Sequence, residues 1–82
     1  MLVQYSDTAR KQLKKLPQNK QIKILKKIKE LKNNPYAGKK LIGGFKKKRC
    51  LRTWPYRIIY QYFSLERRLF INLVEHRQSA YK

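Results

Sequence analysis

The spacing of apolar residues changes midway along the chain, from a helical repeat to an alternation. In the first half, Ala9, Leu13 and Leu16 recur at helical spacing after Ser6, a residue type that often caps the start of a helix. This pattern predicts an amphipathic helix over residues 7–16.

A second helix is predicted where Ile24, Ile28 and Leu31 form an apolar stripe and lysines cover much of the remaining surface. It is expected to end at Asn33-Asn34-Pro35, because proline disfavours the helical conformation in the residue before it. The connection between the two helices is short. We therefore expect a helical hairpin with one apolar side.

Four short segments are predicted to be strands, because the helical repeat of apolar residues is absent from them and three of the four are rich in β-branched and aromatic residues. They are residues 2–5, 49–52, 56–62 and 68–76. The last three are separated by short turns, which makes them antiparallel neighbours. Residues 35–45, which hold all the glycines of the chain, are predicted to be a loop.

The last strand carries apolar residues on both of its faces. Alternation predicts that Leu69, Ile71 and Leu73 face one way and that Phe70 and Val74 face the other. Such a pattern is typical of a central strand.

Together these elements predict one α+β domain over residues 1–82. Its order is a short N-terminal strand, two helices and three antiparallel strands. The helical hairpin is expected to cover one face of the sheet, which leaves the opposite face for function.

The charge balance changes this picture, since 22 lysines and arginines stand against four acidic residues and give a net charge of +18. The chain cannot pair so many cations internally, and an acidic partner would relieve their repulsion. We interpret the basic residues of the predicted sheet as a phosphate-binding surface for nucleic acid. The alternatives are a solvated basic face without a specific target and contact with an anionic membrane surface.

Arg57 is the most informative cation, because it lies within a strand and alternation points it away from Ile58. Its planar guanidinium suits a phosphodiester, or the transition state in which charge builds up on the nonbridging oxygens. The alternative is a structural ion pair with Glu66 or Glu75 at a strand edge.

His76 is the single histidine, and its imidazole can accept or donate a proton near neutral pH. RNA cleavage by the 2′-hydroxyl needs both a base and an acid, and one histidine cannot fill both roles at once. Tyr81, Glu75 or a lysine would have to complete the set. A structural residue at a strand end is the alternative for His76.

Trp54 and Tyr81 are the better candidates for stacking on nucleobases, because they lie near a turn and near the terminus. Core packing is the alternative, and it is the better interpretation for Tyr60 and Phe70.

Several classes of chemistry have no signature in the sequence. It lacks a P-loop, the GxGxxG and GxSxG motifs and a two-histidine metal spacing, so we expect neither a metal nor another cofactor. The lone Cys50 excludes an intramolecular disulfide and suits a reducing cytoplasm, where we expect the protein. No signal peptide or membrane span is expected.

Five short segments occur in a characteristic order. They are Asn34-Pro35, Lys40-Leu41-Ile42-Gly43, Leu51-Arg52, Tyr56-Arg57-Ile58-Ile59-Tyr60, and His76-Arg77 followed by Tyr81. In this order they resemble the RelE/ParE toxin superfamily, and the likeness extends over nearly the whole chain. The resemblance implies the toxin half of a toxin–antitoxin pair, with an acidic antitoxin as the partner that silences it.

The resemblance also implies an activity and roles for single residues. RelE-like members of the superfamily enter the ribosomal A site and cut mRNA there without metal, leaving a 2′,3′-cyclic phosphate. By position, Arg57 matches the arginine that stabilises the scissile phosphate, and Lys48 and Arg52 match basic positions for phosphate binding or proton transfer. His76 and Tyr81 fall where other members carry catalytic or base-orienting residues.

Three features depart from the pattern of the superfamily. Trp54-Pro55 replaces the usual glycine-containing turn, and Cys50 stands where several ribonuclease members have a basic residue. No carboxylate occurs between Glu30 and Glu66, which excludes a glutamate base on the strand that holds Cys50.

The resemblance therefore implies a ribosome-dependent mRNA endonuclease, with the ribosome, its rRNA and mRNA as partners. Two alternatives stay open: a ParE-like inhibitor of DNA gyrase without nuclease activity, and a basic nucleic-acid-binding module without catalysis. The catalytic candidates are Arg57, His76, Tyr81, Arg52 and Lys48, and the RNA-binding candidates are Lys46, Lys47, Arg49, Arg77 and Trp54.

Overall fold

The computed structural model describes residues 1–41 and 47–78. Within them, no helix is long and apolar enough to cross a membrane. The helices and strands follow the chain in the order β1 (Leu2–Tyr5), α1 (Asp7–Lys14), α2 (Gln18–Asn33), β2 (Lys39–Lys40), β3 (Lys48–Thr53), β4 (Tyr56–Phe63) and β5 (Arg68–His76).

The five strands form one mixed sheet in the order β1-β5-β4-β3-β2. The pairs β2–β3, β3–β4 and β4–β5 are antiparallel, whereas β1 runs parallel to β5. Because β5 has a neighbour on both sides, the prediction of a central last strand is confirmed.

Both helices pack on one face of this sheet and form the core with it. Apolar residues of α1 and α2 pack with buried residues of β4 and β5, as the helical hairpin prediction requires. The predicted α+β arrangement is confirmed. The buried residues of the cluster are Ala9, Ile24, Ile28, Leu31, Tyr56, Ile58, Tyr60, Leu69, Ile71 and Val74.

Several element boundaries differ from the prediction, and β3 and β4 are slightly longer than predicted. The helix α1 ends at Lys14, two residues early, where a turn hydrogen bond from Leu16 N–H to the Leu13 carbonyl follows it. The predicted loop contains the short strand β2, because Lys39 and Lys40 pair with the outer edge of β3. Residues 42–45 of that loop lie outside the described part of the chain.

A bulge in β5 interrupts its pairing with β4. Ile59 lies opposite Leu73, but the next pair is Tyr60 with Ile71, so Asn72 has no residue opposite it. An extra residue of this kind shifts the alternation of side chains along the rest of the strand.

The bulge decides which face each later residue of β5 occupies. Leu69 and Ile71 are buried against the helices before it, and Val74 is buried there after it. The predictions that Leu73 faces the same way as Leu69 and Ile71, and that Val74 faces away from them, are therefore wrong.

Polar groups around the start of α1 satisfy the backbone at this bulge. The Ser6 hydroxyl donates to the Asn72 carbonyl at 2.6 Å, and the side-chain oxygen of Gln12 accepts from the Val74 N–H at 2.7 Å. The Ser6 oxygen also accepts from the Ala9 N–H at 3.0 Å and so caps α1. The helix start and the bulge therefore stabilise each other.

Tyr60 fixes the segment that leads into β2. Its hydroxyl donates to the Pro35 carbonyl at 2.7 Å and accepts from the Gly38 N–H at 2.9 Å. A side chain at Gly38 would not fit, because a Cβ there would lie 2.8 Å from the Tyr60 ring and hydroxyl. Arg49 completes the link by donating to the Gly38 carbonyl at 2.9 Å.

We predict that Tyr60→Phe destabilises the protein, because it leaves a buried N–H and a carbonyl without their partner. The expected loss in the free energy of unfolding, measured by urea denaturation, is about 1–3 kcal/mol. Burial raises the pKa of the Tyr60 hydroxyl, so the contribution of the neutral phenol is present below about pH 10 and is lost as the pH rises through the raised pKa. The deficit of the variant should therefore shrink at alkaline pH.

Tyr62→Phe is the matched control, since the Tyr62 hydroxyl has no hydrogen bond to the described residues and its ring packs edge-on against Tyr36. An equal loss of stability in the two variants would show that the hydrogen bonds of Tyr60 are not the cause.

Candidate anion-binding site on the open sheet face

The face of the sheet that points away from the helices holds the predicted catalytic arginine. Residues directly opposite each other on paired strands share a face, so the register identifies its members. We call this surface the open face. It consists of Lys39 of β2, Lys48, Cys50 and Arg52 of β3, Arg57, Ile59, Gln61 and Phe63 of β4, Arg68, Phe70, Leu73 and Glu75 of β5, and Leu2 and Gln4 of β1.

Positively charged residues outnumber negatively charged ones on the open face. Lys39, Lys48, Arg52, Arg57 and Arg68 carry positive charge, and Glu75 is the one carboxylate that the described strands place among them. The local potential is therefore positive, which favours an anionic ligand on this face.

Arg52 and Arg57 lie directly opposite each other on β3 and β4. Side chains in such positions have Cβ atoms about 5 Å apart, and like charges there are destabilising. Arg52 is exposed and Arg57 is half-buried, so water screens one of the two guanidinium groups better than the other. The fold holds this repulsive pair at the end of the open face next to the turn between β3 and β4.

Glu75 lies opposite Arg57 on the other side of β4 and pairs with it. The distance from Arg57 Nη2 to Glu75 Oε2 is 3.5 Å, longer than a strong charge-assisted hydrogen bond. The Arg57 Nε is buried and has no hydrogen-bond partner among the described residues. Glu75 therefore neutralises Arg57 in part and leaves one of its donors unused.

A cavity of about 450 Å³ adjoins this arginine pair. Such a volume is within the range of small-molecule sites. Its walls combine cations with a thiol and a few apolar groups, so a phosphate group can be held by charge at one side of it. The lining residues are Ala37, Lys39, Lys40, Leu41, Cys50, Leu51, Arg52 and Arg57.

The turn between β3 and β4 presents an aromatic ring beside the arginine pair. The Trp54 side chain is exposed, and the Arg77 guanidinium carbon lies 4.6 Å from the centroid of its ring. Lys23 Nζ donates to the Trp54 carbonyl at 2.9 Å, and the Arg77 N–H donates to the Pro55 carbonyl at 2.8 Å. The turn is thus held by both α2 and the end of β5.

His76 lies on the face of the sheet opposite to Arg57. It pairs with Tyr56, whose ring is buried among the helices, and the two rings meet edge to face at 5.3 Å. Its Nδ1 accepts a hydrogen bond from the Gln78 N–H at 3.1 Å. Without the bulge at Asn72, strict alternation would place His76 on the open face and Glu75 on the helix side. The bulge reverses these two positions, so Glu75 lies on the open face and His76 lies on the helix side.

The other predicted site residues are dispersed. Arg49 lies on the helix side, where it is bound to the Gly38 carbonyl and lies 5.0 Å from the centroid of the Tyr36 ring. Lys47 lies in the turn before β3, at the far end from Trp54. The predicted sites Lys46 and Tyr81 fall outside the described residues. The structure thus brings Arg57 and Arg52 together, places Lys48 on the same face farther along β3, and places Trp54 and Arg77 at the adjoining turn.

Sequence reasoning missed Lys39 and gave Glu75 a minor place. Lys39 falls in the segment predicted to be a loop, and Glu75 entered only as an alternative partner of Arg57 or as a substitute base. The opposition of Arg52 and Arg57 is a finding of the structure, in which β3 extends to Thr53 and Thr53 pairs with Tyr56. No local sequence pattern predicts the bulge at Asn72, which places Glu75 on the open face.

The comparison with protein families matches this fold and site to a known group. The family described as the ParE toxin of the type II toxin–antitoxin system, parDE, matches residues 3–81. The chain belongs to this toxin family. The predicted membership of the RelE/ParE superfamily is confirmed, and the protein is the toxin component of a type II toxin–antitoxin system.

Solved toxin structures share its fold. A chain of the RelBE2 toxin–antitoxin complex from Mycobacterium tuberculosis is 27% identical, with a TM-score of 0.85 over 93% of this toxin and 96% of that chain. The YoeB/ParE toxin from Agrobacterium tumefaciens is 19% identical, with a TM-score of 0.82 over 93% and 98%. The isolated RelE toxin from E. coli is 20% identical, with a TM-score of 0.77 over 98% and 94%. No curated protein sequence gives a significant match.

We predict that Arg52→Gln makes the free toxin more stable and weakens its binding of anions. The substitution removes the repulsion with Arg57 and removes one ligand of the cavity. Urea denaturation at low salt should show a higher free energy of unfolding. The dissociation constant for tripolyphosphate, measured by calorimetry, should rise about tenfold, as expected for the loss of one charged hydrogen bond.

Arg10→Gln is the control for this prediction, because it removes the same charge from an exposed position on α1. If both variants bind tripolyphosphate equally well, the net charge of the toxin and not the open face determines anion binding.

Proposed function

We propose that the toxin is a ribosome-dependent endonuclease that cuts mRNA in the cytoplasm. The observation that carries this proposal is the position of Arg57, which lines a cationic cavity with a buried, unpaired donor. A guanidinium placed in this way suits a phosphodiester, since it can donate to two oxygens of one phosphate. The resemblance to RelE-like toxins in the sequence around Arg57 supports the same role.

In the reaction proposed, the RNA supplies its own nucleophile. The 2′-oxygen attacks the adjacent phosphorus while the bond from phosphorus to the 5′-oxygen breaks. The products are a 2′,3′-cyclic phosphate and a 5′-hydroxyl end. Arg57 and Arg52 donate to the nonbridging oxygens, on which negative charge builds up in the transition state. One proton leaves the 2′-hydroxyl, and another is given to the 5′-oxygen.

We assign the acceptance of the first proton to Glu75. Its carboxylate lies 3.5 Å from Arg57, on the same face of the sheet, whereas His76 lies on the opposite face. A phosphate held by Arg57 would bring the neighbouring 2′-hydroxyl towards this carboxylate, and a base must lie within hydrogen-bond reach of its proton. Tyr81, beyond the described residues, stays the candidate donor to the 5′-oxygen.

The lysines of the open face have a separate role in this proposal. Lys48 lies four residues before Arg52 on β3, about 13 Å along the strand. One phosphate cannot contact both positions closely, so Lys48 is assigned to a flanking phosphate of the same strand of RNA. Lys39 lies opposite Cys50 on the edge strand and extends the cationic surface in that direction.

We further propose that an acidic antitoxin covers the open face when the toxin is silent. The structural relatives from Mycobacterium tuberculosis and E. coli include toxin–antitoxin complexes. A partner rich in carboxylates would offset a net charge of +18 and pair with both Arg52 and Arg57. An acidic segment that orders on binding is suited to such a surface.

Primer extension on translating ribosomes tests the nuclease directly. Wild-type toxin should produce cuts within codons at the A site, and Arg57→Gln should reduce them at least about a hundredfold, since it removes a donor to the transition state. Arg10→Gln carries the same change in net charge and should cut like the wild type.

The family match to ParE makes inhibition of DNA gyrase the second candidate function. If ribosomes treated with toxin show no cuts, while cleaved complexes accumulate in a gyrase assay, the nuclease proposal is wrong and the ParE-like function replaces it. If the toxin binds RNA but shows neither mRNA cleavage nor gyrase inhibition, the conclusion is a nucleic-acid-binding module without catalysis.

Glu75→Gln tests the assignment of the base. The amide keeps the shape of the side chain but cannot take a proton, so the cleavage rate at saturating toxin should fall about 10²- to 10⁴-fold. RNA affinity should be retained or increased, because a negative charge has been removed from the open face. A wild-type cleavage rate in this variant would rule out Glu75 as the base.

A further inference from the structure

We propose that Trp54, backed by Arg77, is a stacking site for one unpaired nucleobase of the RNA that lies along the open face. This inference rests on the proposed function, and it adds a contact with a base to the contacts with phosphates. It assigns a role to a turn that differs from the usual glycine-containing turn of the superfamily.

The Trp54 ring is placed to receive a planar ligand. Trp54 is 65% exposed, although tryptophan has the largest side chain of all residue types. By contrast, Tyr56, two residues later, is buried. The Arg77 guanidinium lies over the ring at 4.6 Å and occupies one side of it. Base–aromatic stacking uses the other side, and a cation next to the ring adds attraction for a nucleotide.

The backbone of this turn is held before any ligand binds. Lys23 donates to the Trp54 carbonyl at 2.9 Å, and Arg77 N–H donates to the Pro55 carbonyl at 2.8 Å. These bonds tie the turn to α2 and to the end of β5. A ring on such a turn loses less conformational freedom on binding than a ring on a free loop does.

The stacking site is close enough to the arginine pair to share one RNA with it. Thr53 and Tyr56 pair at the base of the turn, and the next pair along the strands is Arg52 with Arg57. Trp54 is two residues beyond Arg52 in the chain, so their Cα atoms are at most about 7 Å apart. That separation suits a base attached to a nucleotide whose phosphate, or whose neighbour's phosphate, is held by the arginines.

The charges around Trp54 favour a nucleotide over an apolar protein segment. Its immediate polar neighbours are Arg77 and Lys23, both cations, and Arg52 lies two residues before it. A hydrophobic docking site would surround an exposed aromatic ring with other apolar side chains. A ligand with an aromatic plane and a negative charge satisfies both the ring and its neighbours, and single-stranded RNA has both features.

The experiment uses the fluorescence of Trp54, which is the only tryptophan of the chain. The purified toxin is titrated with a single-stranded RNA hexamer and with an abasic hexamer that has the same number of phosphates. Stacking should quench Trp54 when the hexamer binds, and the abasic hexamer should bind more weakly without quenching it. Trp54→Leu, which is apolar but not aromatic, should bind the hexamer roughly five- to hundredfold more weakly, whereas Trp54→Phe should retain most of the affinity.

The salt dependence separates stacking from a general loss of RNA contacts. Removing Trp54 takes away no phosphate contact, so the slope of log affinity against log salt should be unchanged in Trp54→Leu. In Arg52→Gln the slope should become shallower by about 0.7. Equal quenching by both hexamers, or wild-type affinity in Trp54→Leu, would overturn the stacking site.

These outcomes are distinct from those that test the nuclease. Quenching by the hexamer without cleavage on ribosomes would leave the stacking site in place and remove the proposed function. Cleavage on ribosomes by a toxin whose Trp54 fluorescence is not quenched by RNA would support the proposed function and overturn the stacking site. Quenching by an acidic peptide but not by RNA would overturn the stacking site and assign the ring to a protein partner.

Discussion

Two positive charges held opposite each other, Arg52 and Arg57, are the constraint on which the account of this toxin depends. Like charges in opposed positions of a sheet raise the free energy of the folded chain. The register that opposes them is fixed by the core, because Ile58 and Tyr60 of β4 are buried against the helices. Glu75 relieves the repulsion only in part. An anion bound between the arginines would convert an unfavourable interaction of the free chain into affinity for the ligand.

The bulge at Asn72 decides which group faces that anion. It is held by Ser6 and Gln12, which lie more than sixty residues away in the sequence, with separations of 66 and 62 to their partners on β5. Local alternation predicts the helices, the strands and the outward direction of Arg57, because each depends on nearby residues. It cannot predict the bulge, because that depends on two side chains from the first helix. For this reason the sequence favours His76 as a proton carrier, while the geometry supports Glu75.

The position of Lys39 at the edge of the sheet also depends on a residue that is distant in the sequence. The core side of β4 provides Tyr60, whose hydroxyl fixes Pro35 and Gly38, and this link brings Lys39 to the edge strand beside Cys50. A glycine-rich, lysine-rich segment is typical of a loop, so its pairing could not be predicted from composition. Buried hydrogen bonds of Tyr60, on the helix side of the sheet, thus help to position Lys39 on the open face.

The most direct test of this account is a double-mutant cycle between Arg52→Gln and Arg57→Gln, with the free energy of unfolding measured at low salt in the absence and presence of saturating single-stranded RNA. We expect the coupling between the two arginines to be unfavourable in the free toxin and favourable when RNA is bound, because both then donate to the same anion. A coupling that is zero in the free toxin, or that keeps its sign when RNA binds, would contradict the claim that the opposed arginines form the anion site.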